Sequence, residues 1–124
     1  MKTCANKGET MSSAEFPAFV RRLPLADLPF DGLRGWLLQS DWGQVLFNES
    51  DIELSVPAHS HGNQWGTVID GKIELTISDK KRLYSRGDSY FIPANTTHSA
   101  IIYPGFRAVD YFADKDRYQL QKPG

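Results

Sequence analysis

The histidines of this 124-residue chain concentrate in two short segments. His59 and His61 lie in PAHSHGNQWGTVIDG at residues 57–71, and His98 lies in GDSYFIPANTTHS at residues 87–99. Residues two apart in a strand point to the same face, so the spacing predicts that the rings of His59 and His61 converge on one ion. The alternative is a solvated strand face, because this spacing by itself is common.

Gln64 follows a predicted bend at Gly62–Asn63, which allows its side-chain oxygen to approach the same point as the two imidazoles. Neutral imidazoles with one oxygen donor suit Zn, Mn, Fe, Ni or Cu better than Ca or Mg. The cofactor predicted from these residues is therefore one divalent transition metal.

Short β-prone runs separated by turn residues are the elements that must position these side chains. The runs are rich in β-branched and aromatic residues, and they predict an antiparallel sandwich or barrel. Asp70–Gly71 predicts a hairpin, and SDKKR at residues 78–82 predicts the solvated tip of the next one. The segment ADKDRYQL at residues 113–120 is open between a short helix and a docking arm. The predicted strands are LRGWLLQS, GQVLFNE, DIELSVP, WGTVID, KIELTIS, RLYS, SYFIP, HSAIIY and FRAVDYF.

Length and composition predict a single domain at residues 16–124, preceded by a mobile tail at residues 1–15. Fourteen basic and fifteen acidic side chains give a net charge of −1, which favours neither nucleic acid nor a membrane as a partner. The first residues contain no apolar run typical of a secretory signal, and no apolar run is long enough to cross a bilayer. These features predict a cytoplasmic protein.

The first histidine segment resembles the first motif of the cupin superfamily, G-x5-H-x-H-x3,4-E-x6-G. His59, His61 and Gly71 match that motif. Gln64, separated from Gly71 by six residues, stands where the motif has glutamate. The interval between His61 and Gln64 is one or two residues shorter than usual, and Glu53 replaces the first glycine.

The second segment resembles the second cupin motif, G-x5-P-x-G-x2-H-x3-N. Gly87, Pro93 and His98 match it, whereas Asn95 replaces its glycine and Ile102 its final asparagine. With the flanking strands, the resemblance covers roughly residues 33–112. It implies an all-β fold, the small double-stranded β-helix or jelly-roll barrel of cupins, commonly a homodimer. It also implies a metal held by three histidines and one carboxylate. In this chain the matching residues are His59, His61 and His98, with Gln64 at the position of the carboxylate.

The glutamine is similar to that of some single-domain cupins, namely pectin-degradation cupins acting on unsaturated uronates and polyketide-cyclase-type monocupins. A neutral glutamine leaves a divalent site with a charge of +2, and a more positive ion is a stronger Lewis acid. The chain is therefore predicted to be a metal-dependent monocupin enzyme acting on a small oxygenated substrate by isomerase, lyase or cyclase chemistry. An iron-dependent dioxygenase and a metal-bearing small-molecule binding module or sensor are the alternatives.

The substrate pocket is predicted from strand alternation. If Gln64 faces inward, so do Gly66 and Val68, and Gly66 leaves room beside the metal for substrate. Asp110 and Phe112 share a face of the last strand and match an Asp-x-Phe pair of the uronate-acting cupins. Asp110 is predicted to be the general acid or base.

Several alternatives to these pocket residues stay open. Alternation also allows Asp110 to face solvent, with Tyr111 in the core instead. Tyr90 and Tyr103 are the reserves for proton transfer. Arg117 is one residue out of step with the arginine that follows the pair in those cupins, and it is not assigned to the site. The tryptophans are interpreted as core or interface residues: Trp36, Trp42 and Trp65.

Overall fold

The computed structural model of the chain describes residues 15–122 and contains one short helix and nine β-strands within that range. All nine runs predicted as strands form strands. The elements are α1 (Ala18–Arg21), β1 (Leu33–Gln39), β2 (Gln44–Ser50), β3 (Leu54–His59), β4 (Gln64–Asp70), β5 (Lys72–Ile77), β6 (Lys80–Ser85), β7 (Ser89–Ile92), β8 (His98–Ile102) and β9 (Phe106–Phe112).

The strands form two antiparallel sheets that face each other. The first sheet has five strands in the order β1-β2-β9-β4-β7, and the second has four in the order β3-β8-β5-β6. Neighbours in the sheet are mostly distant in sequence, which is the crossing connectivity of a jelly roll rather than of a simple meander. The all-β jelly-roll prediction is confirmed.

Strict alternation of burial shows which faces of the strands point into the barrel. In β2 and β9, every second residue is buried between the sheets while its neighbours are more exposed. Aliphatic and aromatic side chains from both sheets form the largest core cluster, and burying such side chains is the main favourable term in folding. Its most buried members are Ala108, Val68, Phe106, Ile92, Leu75, Ile102, Ile73 and Tyr90.

The prediction of a hairpin at Asp70–Gly71 is wrong. β4 belongs to the five-stranded sheet and β5 to the four-stranded one, so the chain crosses from one sheet to the other at Gly71. Gly71 has a φ of +68°, and a Cβ there would meet the backbone of Gly105 and Phe106. The hairpin predicted at SDKKR is confirmed, with Ser78 and Asp79 as its two turn residues at positive φ.

The segment after β9 forms an arm and contains no helix. Its backbone pairs with the segment before β1, through Asp27 N–H donating to Gln119 O and Gln121 N–H donating to Leu25 O. Of the tail predicted at residues 1–15, residues 1–14 lie outside the described residues. Among residues 15–122, no helix has the length and apolar character needed to cross a membrane.

Candidate metal centre

The three histidines come together at one end of the barrel. His59 ends β3 and His98 begins β8, and the two are register partners across the four-stranded sheet. His61 lies just beyond the end of β3, so the loop rather than strand alternation brings it to the site. One ring nitrogen of each histidine lies within 4.8 Å of one ring nitrogen of each of the others.

Three backbone carbonyl oxygens fix the tautomers of these histidines. The Nδ1 atoms of His59, His61 and His98 each lie 2.8 Å from a carbonyl oxygen, those of Pro57, Gly62 and Thr96 respectively. A carbonyl oxygen only accepts hydrogen bonds, so each Nδ1 carries the proton and each Nε2 keeps a free lone pair. The Nε2 of His61 is buried and has no hydrogen-bond partner. A buried atom of this kind requires a partner, and a metal ion would be a suitable one.

The protonation of the histidines agrees with a ligand role. Burial lowers the pKa of His61 and of His98 below the ordinary value of 6.5, and nearby positive groups, including Arg117, lower it further. The hydrogen bonds to Gly62 and Thr96 oppose that shift. At neutral pH these two rings are therefore uncharged, which is the form that binds a metal.

Turns from two parts of the chain hold the site together. Asn95 N–H donates to His61 O at 2.8 Å, and Ala94 N–H donates to Oδ1 of Asn63 at 2.7 Å. Asn95 has a φ of +62°, a region that asparagine tolerates better than most residues. The loop before His98 is thereby anchored on the loop that carries His61, so the two sequence segments become one site.

Gln64 begins β4 in the opposite sheet and lines the same cavity as the histidines. Its Nε2 donates to Oδ1 of Asp110 at 3.0 Å. This bond assigns the amide nitrogen to the carboxylate and leaves the amide oxygen as an available donor atom for an ion.

Asp110 points into the barrel, and the alternative of a solvent-facing carboxylate is wrong. It is 5% exposed, whereas Tyr111 is 39% exposed on the outer face. Its carboxylate accepts three hydrogen bonds, from Tyr90 Oη at 2.6 Å, Asn48 Nδ2 at 2.9 Å and Gln64 Nε2 at 3.0 Å. Burial raises the pKa of Asp110, while these hydrogen bonds oppose that shift. Burial also raises the pKa of Tyr90 well above its ordinary value.

The predicted pocket residues divide into two groups. Phe112 lines the cavity and places its ring edge-on to His61, with 5.5 Å between ring centroids. Gly66 and Val68 do not line it. A Cβ at Gly66 would collide with Oδ1 of Asp110 and with the Tyr90 ring, so the space beside Gly66 holds that pair rather than substrate. Val68 is part of the packed core.

The cavity has a volume of about 370 Å³, within the range of roughly 300–1,000 Å³ that small-molecule sites occupy. None of the three tryptophans lines it, nor does Tyr103, whereas Tyr90 does. Arg117 lines the cavity although it was not assigned to the site. The sequence register of β9 carries no information about Arg117, because that strand ends at Phe112 and the chain then turns back as the arm.

Comparisons with known proteins agree with this architecture. The family model described as "Cupin domain" matches residues 48–105. KdgF from Halomonas sp. is 22% identical with a TM-score of 0.65, over 73% of this chain and 87% of that one.

Two further structures resemble the chain. An RmlC-like cupin from Shewanella frigidimarina is 20% identical with a TM-score of 0.69, over 86% and 97% of the two chains. The hydroxypropylphosphonic acid epoxidase of S. wedmorenis is 17% identical with a TM-score of 0.64, over 75% and 56%. Comparison with curated proteins gave no significant match. Similarity at these identities establishes a shared fold.

Proposed function

We propose that this chain, whose residues 48–105 match the family model of the cupin domain, is a metal-dependent enzyme that uses one divalent ion as a Lewis acid on a small oxygenated substrate. The reaction class is isomerisation, elimination or cyclisation by proton transfer. One observation carries this proposal. Three cavity-lining histidines with their protons fixed on Nδ1 each keep a free Nε2, and one ring nitrogen from each lies within 4.8 Å of the others.

The donor set determines which ions fit. Three imidazole nitrogens and the amide oxygen of Gln64 suit Zn, Mn, Ni or Fe better than the hard cations. None of these four ligands would bring a negative charge, so an ion held by them would keep its full charge of +2 and would supply strong polarisation of a carbonyl or hydroxyl oxygen.

The chain's own residues supply the proton transfer. Asp110 lines the cavity beside Gln64 and accepts or releases a proton at its carboxylate oxygens. Burial keeps its pKa above the ordinary value of 3.8, closer to the working pH of a general acid or base. Tyr90 and Asn48 hold the carboxylate in one orientation. The Phe112 ring packs against His61 and adds an apolar surface to the cavity beside it.

Metal analysis of protein purified without nickel resin is the first experiment. Zinc, manganese or nickel, with turnover of a carbonyl or enol compound and no oxygen consumption, is the expected result. Iron together with substrate-dependent oxygen uptake would identify a dioxygenase instead. Tight binding of one ligand without any turnover would identify a binding module.

Asp110→Asn tests the assignment of proton transfer. We expect the variant to keep its metal and to lose turnover by roughly 10²–10⁴-fold, the usual contribution of a positioned acid–base group. Asp79→Asn is the matched control, because Asp79 is exposed at the tip of the β5–β6 hairpin. Unchanged turnover in Asp110→Asn would contradict the role.

A further inference from the structure

Arg117 is the charged side chain of the cavity that has no assigned partner. Apart from the histidines and the tyrosines Tyr90 and Tyr118, Asp110 and Arg117 are the ionisable side chains that line the cavity. Asp110 is engaged with three donors, as described above. The Nε of Arg117 is buried and lacks a hydrogen-bond partner, and within residues 15–122 no carboxylate lies within 4.0 Å of its guanidinium nitrogens.

The surroundings of Arg117 hold its guanidinium in place without neutralising it. The group lies over the Tyr118 ring at 4.4 Å from the centroid, and its distance to the Phe112 centroid is 5.9 Å. Aromatic faces attract a cation but leave its N–H groups free. A partly buried guanidinium with a free N–H is a receptor for an anion, since leaving a buried donor unpaired costs free energy.

The arm that carries Arg117 is anchored to the barrel. Gln44 is 1% exposed, and its side-chain amide forms two hydrogen bonds to the backbone of Tyr118. Nε2 donates to Tyr118 O at 2.9 Å, and Oε1 accepts from Tyr118 N–H at 3.0 Å. Arg117 therefore occupies a defined place, and little further ordering is needed when a ligand binds.

The rest of the cavity wall describes the body of the ligand. Most of it is apolar, and its polar side chains Asn48, Gln64 and Tyr90 already donate hydrogen bonds to Asp110, so the wall offers few partners to the hydroxyl groups of a sugar. A single guanidinium neutralises one negative charge and matches the two oxygens of a carboxylate. The apolar wall residues include Leu46, Val56, Ile73, Leu75, Ile92 and Phe106.

We infer that the cavity binds a monocarboxylate with an apolar or aromatic body, and that Arg117 receives the carboxylate. This inference rests on the proposed function, since it names the substrate class of the same cavity. It differs from the resemblance to uronate-acting cupins, because a uronate presents several hydroxyl groups to the wall.

The test uses benzoate and its neutral isostere benzamide, titrated by calorimetry into metal-free and zinc-loaded protein. We expect benzoate to bind at least about tenfold more tightly than benzamide in both forms, which corresponds to one charge-assisted hydrogen bond. In the metal-free protein, Arg117→Gln should remove that preference while benzamide binding changes by less than about twofold. Arg117→Lys should retain part of the preference, because lysine keeps the positive charge but lacks the planar pair of N–H groups that binds both carboxylate oxygens.

Arg86→Gln is the matched control, because Arg86 is exposed and pairs with Asp70 outside the cavity. It should bind benzoate as the parent does. Thermal unfolding shows whether each variant is folded. Equal binding of benzoate and benzamide, an unchanged preference in Arg117→Gln, or no benzoate binding by the parent would overturn the inference. Tighter binding of phenylphosphonate or of galacturonate than of benzoate would overturn the assigned class.

Metal content is measured in the same samples and separates this inference from the proposed function. An Arg117-dependent preference for benzoate in the metal-free protein supports the inference, whether or not the loaded protein turns over any substrate. A protein that binds metal and catalyses a reaction, but shows no such preference, contradicts the inference and leaves the proposed function intact.

Discussion

The two ends of the barrel use the same strands for different purposes. At the metal end lie the first residues of β4 and β8 and the last residues of β3 and β9, which include His59, Gln64, His98 and Phe112. Deeper in the barrel, the same strands contribute apolar packing, with Val68 and Ala108 fully inside it and Ile102 and Phe106 where this packing meets the wall of the cavity. Two glycines, Gly71 and Gly105, lie in the turns at the opposite, apolar end.

The difference shows how a small barrel separates stability from chemistry. At the apolar end, each side chain contributes by being removed from water, so no particular partner is needed. At the metal end, buried polar groups must each find a partner, and the structure provides one for nearly all of them. The Nε2 of His61 and the Nε of Arg117 are the buried side-chain atoms without one in the described part of the chain.

The strongest way to test this separation is to remove metal ligands. The double variant His61→Ala/His98→Ala should lose all bound metal while remaining folded, because the apolar end does not depend on the ion. Elemental analysis should give no metal per chain, against about one ion for the parent, and circular dichroism should be unchanged. Bound metal at the parental level would refute the site.

A substitution at the apolar end should have the opposite outcome. Phe106 is 1% exposed, and Phe106→Ala should lower the free energy of unfolding by about 3–5 kcal/mol through lost burial and a cavity. Phe91 is 55% exposed, and Phe91→Ala should change it by less than about 0.5 kcal/mol. Denaturant unfolding measures both. Equal losses in the free energy of unfolding would show that burial of the side chain does not decide the contribution of these two residues to stability.

Gln64→Glu places a negative charge between the three histidines and Asp110, because Gln64 lines the cavity with the histidines and is hydrogen-bonded to Asp110. The anionic oxygen adds attraction to the ion, so metal affinity should increase by about tenfold or more. The carboxylate would also replace a donor that lies 3.0 Å from Asp110, so the metal-free protein should become less stable. Competition with a chelator and metal-free unfolding give the two quantities. Unchanged or weaker metal affinity would argue against direct ligation by Gln64.

The smallest expected effect is that of mild acidification. His61 and His98 have lowered pKa values, so between pH 7.5 and 6.5 their protonation should weaken metal affinity by less than about twofold each. Below the lowered pKa values, protons compete with the ion. In the metal-free protein, these histidines bind protons at a higher pH when the chain is unfolded than when it is folded. The free energy of unfolding should therefore fall as the pH decreases from about 6.5, the ordinary histidine pKa, through the lowered pKa values. A free energy of unfolding that increases when the metal-free protein is acidified from pH 6.5 would contradict this prediction.

The sequence was sufficient for the strands and for the histidines. Strands follow from β-branched and aromatic runs broken by turn residues, and each run contains that information locally. The histidine positions follow from two short motifs, because a metal site restricts residue type as well as spacing. The prediction that His59 and His61 share a strand face was only partly right, since β3 ends at His59.

The tertiary structure decided what local pattern could not. An Asp-Gly pair accommodates a positive φ both in a hairpin and in a turn that carries the chain to the other sheet. Only the assembled sheets show that the turn at Gly71 is of the second kind. Alternation places Asp110 and Phe112 on one face but does not say which face is inside; that depends on which side the second sheet covers. Arg117 reaches the cavity because the arm folds back across the chain, a long-range contact with no local signature.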